Sequence, residues 1–178
     1  MKRTRVVQIS VAIALIVFAI CMRLLPHPAN FAPIMAIAIF GGAVLPKRVA
    51  VWVPLLAMMA SDAIIGFYPM MWVTWSCFLV VALASNQLLR RPSIAKGALL
   101  TVSASLFFFV VTNFAVWVTS GMYAHTYEGL MQCYIAAIPF FRNTLSSDVI
   151  YTAALFGVYA FATMSVTRRL SEQSEAAS

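Results

Sequence analysis

The chain has 178 residues, of which 63% are hydrophobic and only 10% are charged, and its formal net charge is +7. Soluble domains are about half apolar and a quarter charged, so this composition excludes an ordinary soluble domain and indicates a membrane protein. The basic residues stand between apolar runs and are not interleaved with aromatic residues, which excludes a nucleic-acid-binding patch.

The first predicted element is an apolar run that follows a basic N-terminus. Residues 6–24 are numerous enough to cross a bilayer, which takes about 20 apolar residues. No small-residue cleavage site closes the run, so we expect a retained first helix and not a signal peptide. Five further apolar runs, separated by charged residues, Pro or Gly, predict spans at residues 31–46, 49–66, 70–89, 95–119 and 145–167.

Two features of the remaining chain complete this prediction. Spans two and three are short for a membrane, which indicates helices packed inside a bundle, often beside a cavity. The segment 123–144 is too long for a tight turn and is expected to form a short interfacial helix that caps the outer face.

Lysine and arginine residues predict the orientation of the six spans. Only Arg23 and Arg142 fall on one side, and cytoplasmic loops carry the excess of basic residues, so both termini are expected in the cytoplasm. We predict an all-α membrane protein with a single six-helix transmembrane domain at residues 1–170 and a disordered cytoplasmic tail at 171–178. The basic residues on the cytoplasmic side are Lys2, Arg3, Arg5, Lys47, Arg48, Arg90, Arg91, Lys96, Arg168 and Arg169.

On this topology the polar residues of interest share the outer half of the membrane. Charged groups at that depth cost a few kcal/mol unless they are paired or face water, so an outward-facing pocket is expected. These residues are His27, Asp62, Cys77, Asn113, His125, Glu128, Arg142 and Asp148.

Each of these polar residues also has a structural interpretation. Asp62 could pair with Arg142 or cap a helix, and Asp148 could cap span six after "TLSS". Asn113 could bond a neighbouring helix, and His27, between two prolines, could simply be solvated. Arg142 could instead anchor lipid headgroups.

The aromatic residues and the cysteines are equally ambiguous. Tyr68, Trp72, Trp75 and Trp117 are typical of an outer aromatic belt, although a large planar ligand would use the same rings. The three cysteines have no CxxC spacing, and Cys77, among apolar residues, could be no more than a small hydrophobic side chain. There is no phosphate-binding loop, GxSxG or HExxH motif, so the chain carries no recognisable nucleotide-hydrolysing machinery.

Two stretches carry a resemblance to a known family. "HPANFAPIMAIAIFGGAVLPKR" (27–48) and "VPLLAMMASDAIIGFYP" (53–69) resemble the S-component fold of energy-coupling-factor (ECF) vitamin transporters, and the resemblance covers about residues 6–168. The resemblance depends on the Pro-rich first loop, the Gly-Gly pair in a short span two and the aspartate that ends span three. The resemblance implies six helices, both termini inside and a vitamin pocket that opens outward.

Within that family the chain looks most similar to the solitary cobalamin (vitamin B12) S-components, in which a cysteine of span four coordinates the corrinoid cobalt. Cys77 in "WVTWSCF" stands at that position. The resemblance implies uptake of cobalamin at the bacterial inner membrane, with the Cys77 thiolate as axial cobalt ligand and as the residue for a decyanation of cyanocobalamin. An energising ECF module is an implied partner. The residues implied to bind the cobalamin are His27, Asp62, Trp72, Trp75 and Arg142.

Three alternatives stay open. The chain could be an S-component for another vitamin or small molecule, with a separate ATP-driven module. It could be a membrane thiol enzyme in which Cys77 is the nucleophile and His27 or His125 the base. It could also be a structural membrane subunit that has no ligand.

Overall fold

The computed structural model describes residues 2–89 and 93–176, with side chains from Arg5 to Ser165 within those ranges. Over this part the chain is all-α, and α3 is a single turn that continues into α4 after Val51. Several basic residues used to predict the orientation lie outside the described backbone or side chains: Lys2, Arg3, Arg90, Arg91, Arg168 and Arg169. The helices are α1 (Lys2–Leu24), α2 (Ile34–Val44), α3 (Lys47–Ala50), α4 (Trp52–Ile65), α5 (Met71–Leu88), α6 (Ile94–Thr119) and α7 (Tyr127–Ala176).

The predicted helical segments are confirmed in the described residues, where α3 and α4 count as one. Five of the six segments are long and apolar enough to cross a membrane, and they agree with the apolar composition. The exception is α2, whose 11 residues span only about 16 Å at 1.5 Å per residue. The five segments are Arg5–Leu24, Lys47–Ile65, Met71–Leu88, Ile94–Thr119 and Tyr127–Ser165.

The short helix α2 lies at the centre of the bundle. Every residue from Ile34 to Gly42 is buried, and α2 packs against α1, α4, α5, α6 and α7. A helix that is apolar on all sides is stable only when it is surrounded by other helices, which explains its composition. The shortness of span two therefore reflects a buried central helix.

The Gly-Gly pair of α2 has a packing role. A Cβ atom added at Gly42 would lie 2.5 Å from the Ala82 carbonyl oxygen and 2.7 Å from the Ser85 Cβ of α5. The Ser85 hydroxyl donates to the Ile39 carbonyl at 2.5 Å, and the Asn86 amide donates to the Gly42 carbonyl at 2.9 Å. Glycine thus lets α2 and α5 approach closely enough to exchange these hydrogen bonds.

The prediction of a separate interfacial helix within 123–144 is wrong. The helix that begins at Tyr127 continues without a break through Pro139 and beyond the predicted start of span six. The polar residues expected to interrupt it have partners of their own. Thr144 donates to the Phe140 carbonyl of the same helix at 3.0 Å, and Ser147 donates to the Ala32 carbonyl of the first connection at 3.1 Å. Because these hydroxyls have partners, the sequence "TLSS" need not end one helix and start another.

The first part of α7 lies along α6. The Tyr134 hydroxyl donates to the Val110 carbonyl at 2.8 Å, and the Cys133 thiol donates to the Asn113 carbonyl at 3.4 Å. This segment therefore extends the bundle. At its other end α7 continues through residues 171–176, which the sequence assigns to the polar tail, while Ala177 and Ser178 lie outside the described residues.

The three connections 25–33, 66–70 and 120–126 share one end of the bundle, here called the loop end. The Asn143 amide donates to the Ala29 carbonyl at 3.0 Å, which ties α7 to the first of these connections. The opposite end holds the tight α2–α3 turn, whose Leu45 carbonyl accepts from Asn86 at 3.3 Å. The basic residues described at that opposite end are Arg5, Lys47, Arg48 and Lys96.

Candidate functional site

A cavity of about 440 Å³ opens between the helices at the loop end. Pockets for drug-sized ligands measure about 300–1000 Å³, so this cavity suits a small organic molecule. Its walls combine apolar and aromatic side chains with a few polar groups, the usual composition of a ligand site. Its lining phenylalanines are Phe78, Phe108, Phe109, Phe140 and Phe141, and its charged lining residues are Arg23 and Asp148.

Arg23, at the end of α1, contributes the cationic group of the cavity wall. Its Nη1 lies 2.7 Å from Asp62 Oδ1 and donates to the Ser61 hydroxyl at 2.6 Å. The Trp75 indole N–H donates to the other oxygen, Asp62 Oδ2, at 2.8 Å. Asp62 therefore pairs with Arg23 and not with Arg142, which is exposed on α7. The pair neutralises the guanidinium and fixes its position beside the cavity.

Asp148 contributes a carboxyl group to the same cavity. It lies inside α7, is only 1% exposed and accepts a hydrogen bond of 2.6 Å from Ser105 on α6. Within the described residues, no basic side chain comes within 4.0 Å of it. The alternative that Asp148 caps the start of span six is wrong, because the helix begins well before it at Tyr127.

His27 and Tyr68 line the cavity from two of the connecting loops. His27 Nδ1 lies 2.6 Å from the Leu25 carbonyl oxygen, and because a carbonyl only accepts, Nδ1 is assigned the proton. Its Nε2 is then left as an acceptor when the ring is neutral. Burial raises the pKa of Tyr68, so its phenol group stays protonated and can donate a hydrogen bond.

Cys77 does not line the cavity. It is only 2% exposed, although Thr74 and Phe78 of the same helix do line the cavity. At about 100° per residue, Cys77 points about 60° away from Thr74 and 100° away from Phe78. Its sulfur is therefore packed beside the cavity wall.

The remaining sequence-predicted residues are spread over different environments. Trp72 is 63% exposed and packs edge-on against buried Trp75, with ring centroids 5.1 Å apart. Asn113 lines the cavity, but its amide donates to Phe109 of its own helix and not to a neighbouring helix. His125 packs against Trp117 and is not among the lining residues.

Arg23 and the phenylalanines are lining residues that the sequence did not single out, and Asp148 was among the polar residues of the outer half but was not assigned a ligand-binding role. Arg23 was counted only as a basic residue on the outer side, although one charge at the end of an apolar run next to another span's aspartate is a signal for a pair. Asp148 was interpreted as a cap because "TLSS" precedes it. Its position within an apolar segment was the better signal, since ionisable residues in spans usually face a cavity.

The model of a family of unknown function, DUF6580, matches residues 3–172 of the chain. The chain belongs to the DUF6580 family. No curated protein and no solved structure matches the chain. The match covers nearly all of the bundle from α1 to α7, so the cavity and the residues that line it belong to the DUF6580 region.

Proposed function

We propose that this DUF6580 protein is a membrane uptake component that binds a small organic molecule in the cavity at the loop end. The observation that carries the proposal is the convergence of Arg23, Asp148 and five phenylalanines on one 440 Å³ cavity among helices of membrane length. Ionisable groups are expensive inside a membrane and are usually found where a substrate or a water-filled path needs them.

The predicted orientation supports uptake from outside the cell. The basic residues described at the other end, among them Lys47, Arg48 and Lys96, favour a cytoplasmic location for that end. The cavity then opens to the outside, and both termini lie in the cytoplasm of a bacterial cell with the chain in its inner membrane. The resemblance to ECF S-components supports the same arrangement, with transport energy supplied by a separate ATP-driven module.

A small ligand other than a corrinoid is the first candidate. A corrin ring with its nucleotide loop is larger than a drug-sized ligand, whereas the cavity lies in the lower half of the drug-sized range. Direct cobalt coordination by Cys77 would also require α5 to turn by about 60°. The same burial disfavours a thiol enzyme, because a nucleophile must reach its substrate.

Cobalamin is the second candidate, since Cys77 lies within one helical turn of Thr74 and Phe78 on the cavity wall. Its test is the visible spectrum of hydroxocobalamin added to purified protein, in wild type, Cys77→Ala and the matched buried-cysteine control Cys133→Ala. A spectral shift in wild type and Cys133→Ala that disappears in Cys77→Ala would establish the cobalt ligand. No shift in the wild type would exclude it.

The cavity itself is tested by mass spectrometry of small molecules released from the protein after incubation with cell extract. Thr112→Trp places a large ring into the cavity from α6, and Leu106→Trp, on an exposed face of the same helix, is its control. We expect wild type and Leu106→Trp to release the same molecule and Thr112→Trp to release none. Equal release from Thr112→Trp, or none from the wild type, would refute the proposed function.

A further inference from the structure

The cavity contains a charge imbalance. The Arg23 guanidinium is already paired with Asp62, so this pair adds no net charge to the wall. Asp148 is left with its Oδ2 bonded to the neutral Ser105 hydroxyl at 2.6 Å. Asp148 Oδ1 accepts no hydrogen bond from any described residue, and this atom is not fully buried. One carboxylate oxygen therefore remains available to the cavity that Asp148 lines.

In the part of the chain that the structure describes, no other group around the cavity forms an ion pair with Asp148. His27 of the first loop lines the same cavity, but neither of its ring nitrogens lies within 4.0 Å of the Asp148 carboxylate. From the second loop comes Tyr68, and from α6 the neutral Ser105. Because a buried carboxylate without a counter-charge is costly, its ionised form needs a cation from outside the protein.

The surrounding aromatic rings favour the same kind of ligand. Phe78 of α5 and Phe108 of α6 stack with ring centroids 5.3 Å apart, and Phe109 of α6 lies 4.8 Å from Phe141 of α7. These four residues line the cavity together with Asp148. Aromatic faces attract organic cations, and the attraction is stronger when water is excluded.

We infer that the ligand is an organic cation whose charged nitrogen is bound by the Asp148 carboxylate and enclosed by the phenylalanine rings. This inference rests on the proposed function. Ser105 acts as a positioning residue, because its hydroxyl holds Oδ2 and leaves Oδ1 directed to the ligand. Arg23 stays paired with Asp62, so it does not repel the ligand as a free cation would.

The test uses two dyes of nearly the same shape. Dimethylaminostyryl-N-methylpyridinium is a fluorescent organic cation, and dimethylaminostyrylpyridine lacks its methyl group and is uncharged at mildly alkaline pH. Fluorescence titration of purified wild-type protein is expected to give at least tenfold tighter binding of the cation. Asp148→Asn, which keeps the size and can still accept from Ser105, is expected to lose this preference and to bind the two dyes about equally. Asp148→Glu is expected to keep the preference, and Ser105→Ala is expected to reduce it, because the carboxylate loses the hydroxyl that holds Oδ2.

The outcomes separate this inference from the proposed function. Equal binding of the cation by wild type and Asp148→Asn, or tighter binding of the neutral dye by wild type, would overturn the inference. If the inference is overturned in this way but Thr112→Trp binds neither dye, the cavity remains a ligand site whose binding does not depend on the charge of Asp148. Dye binding that Thr112→Trp leaves intact lies outside the cavity and would overturn the inference as well. If the wild type binds neither dye, the inference is also overturned. The proposed function is tested independently, by the molecule released after incubation with cell extract.

Discussion

Arg23 Nη1 and Asp62 Oδ1 lie 2.7 Å apart, an ion pair that joins the end of α1 to the end of α4. Asp62 is 1% exposed, and its second oxygen accepts from Trp75 at 2.8 Å, so the carboxylate has an ion-pair partner on α1 and a hydrogen-bond donor on α5. The pair holds a guanidinium at the cavity wall without leaving a free charge there. This arrangement links the stability of the loop end to the shape of the cavity.

Loss of the Asp62 charge is expected to destabilise the bundle. In Asp62→Asn the Arg23 guanidinium keeps its position but loses its counter-charge, and breaking a buried pair in this way costs about 3 kcal/mol. The free energy of unfolding, measured by circular dichroism during denaturation in SDS and mild detergent, should fall by that amount. Arg142→Gln removes an exposed charge on α7 and is the control, with no comparable change. Equal stability of Asp62→Asn and wild type would show that the pair is unimportant.

The indole of Trp75 is expected to matter more than that of Trp72. Trp75→Phe removes the hydrogen bond to Asp62 Oδ2, and hydrogen bonds to charged groups contribute about 1.5–3 kcal/mol. Trp72→Phe alters a ring that is 63% exposed and should change the unfolding free energy little. The same denaturation experiment compares the two variants. A larger loss for Trp72→Phe than for Trp75→Phe would contradict the assigned hydrogen bond.

The two neighbouring glycines of α2 should respond differently to a methyl group. In Gly42→Ala the new Cβ would meet the Ala82 carbonyl and the Ser85 side chain, so α2 and α5 must separate, at a cost of about 1–3 kcal/mol. In Gly41→Ala the nearest atom is Leu45 Cδ1 at 3.8 Å, an ordinary contact. We expect a lower thermal midpoint in detergent for Gly42→Ala only. A similar loss in both variants would mean that helix–helix distance is not the cause.

The orientation of the bundle can be tested with reporter fusions. A green fluorescent protein at the C-terminus should fluoresce, because both termini are expected in the cytoplasm. Alkaline phosphatase fused after Gly121 should be active, since this position belongs to the loop end. Alkaline phosphatase fused after Leu89, at the opposite end, is the inactive control. Activity after Leu89 and inactivity after Gly121 would reverse the orientation and place the cavity toward the cytoplasm.

The helical segments could be predicted from the sequence because each requires an apolar run of sufficient length. The short α2 was also foreseeable, since its residues from Ile34 to Gly42 are apolar or small on every side. The position of Asp62 near the end of its span followed from the same pattern. These features depend on local composition, which can be read directly from a single sequence.

The composition of the site was not predictable in the same way. Asp62 could pair with either basic residue of the outer side, and the choice of Arg23 depends on which helix faces meet in the bundle. The continuity of α7 depends on carbonyl partners for Thr144 and Ser147, one in the same helix and one in the first loop. Whether Cys77 faces the cavity or the neighbouring helices depends on the rotation of α5 about its axis. The apolar residues of α5 show no periodicity from which that rotation could be predicted.

A crystal structure of the protein with its copurified ligand, grown in a lipidic phase, is the most direct test of the central claim. We expect density for a small molecule in the cavity at the loop end, with its charged nitrogen beside Asp148 and its remainder between Phe108 and Phe141. A second, apolar groove lies between α1, α2 and α7, beside Val11, Tyr151 and Leu155. A ligand found in that groove, with the loop-end cavity occupied only by water, would refute the loop-end cavity as the ligand site.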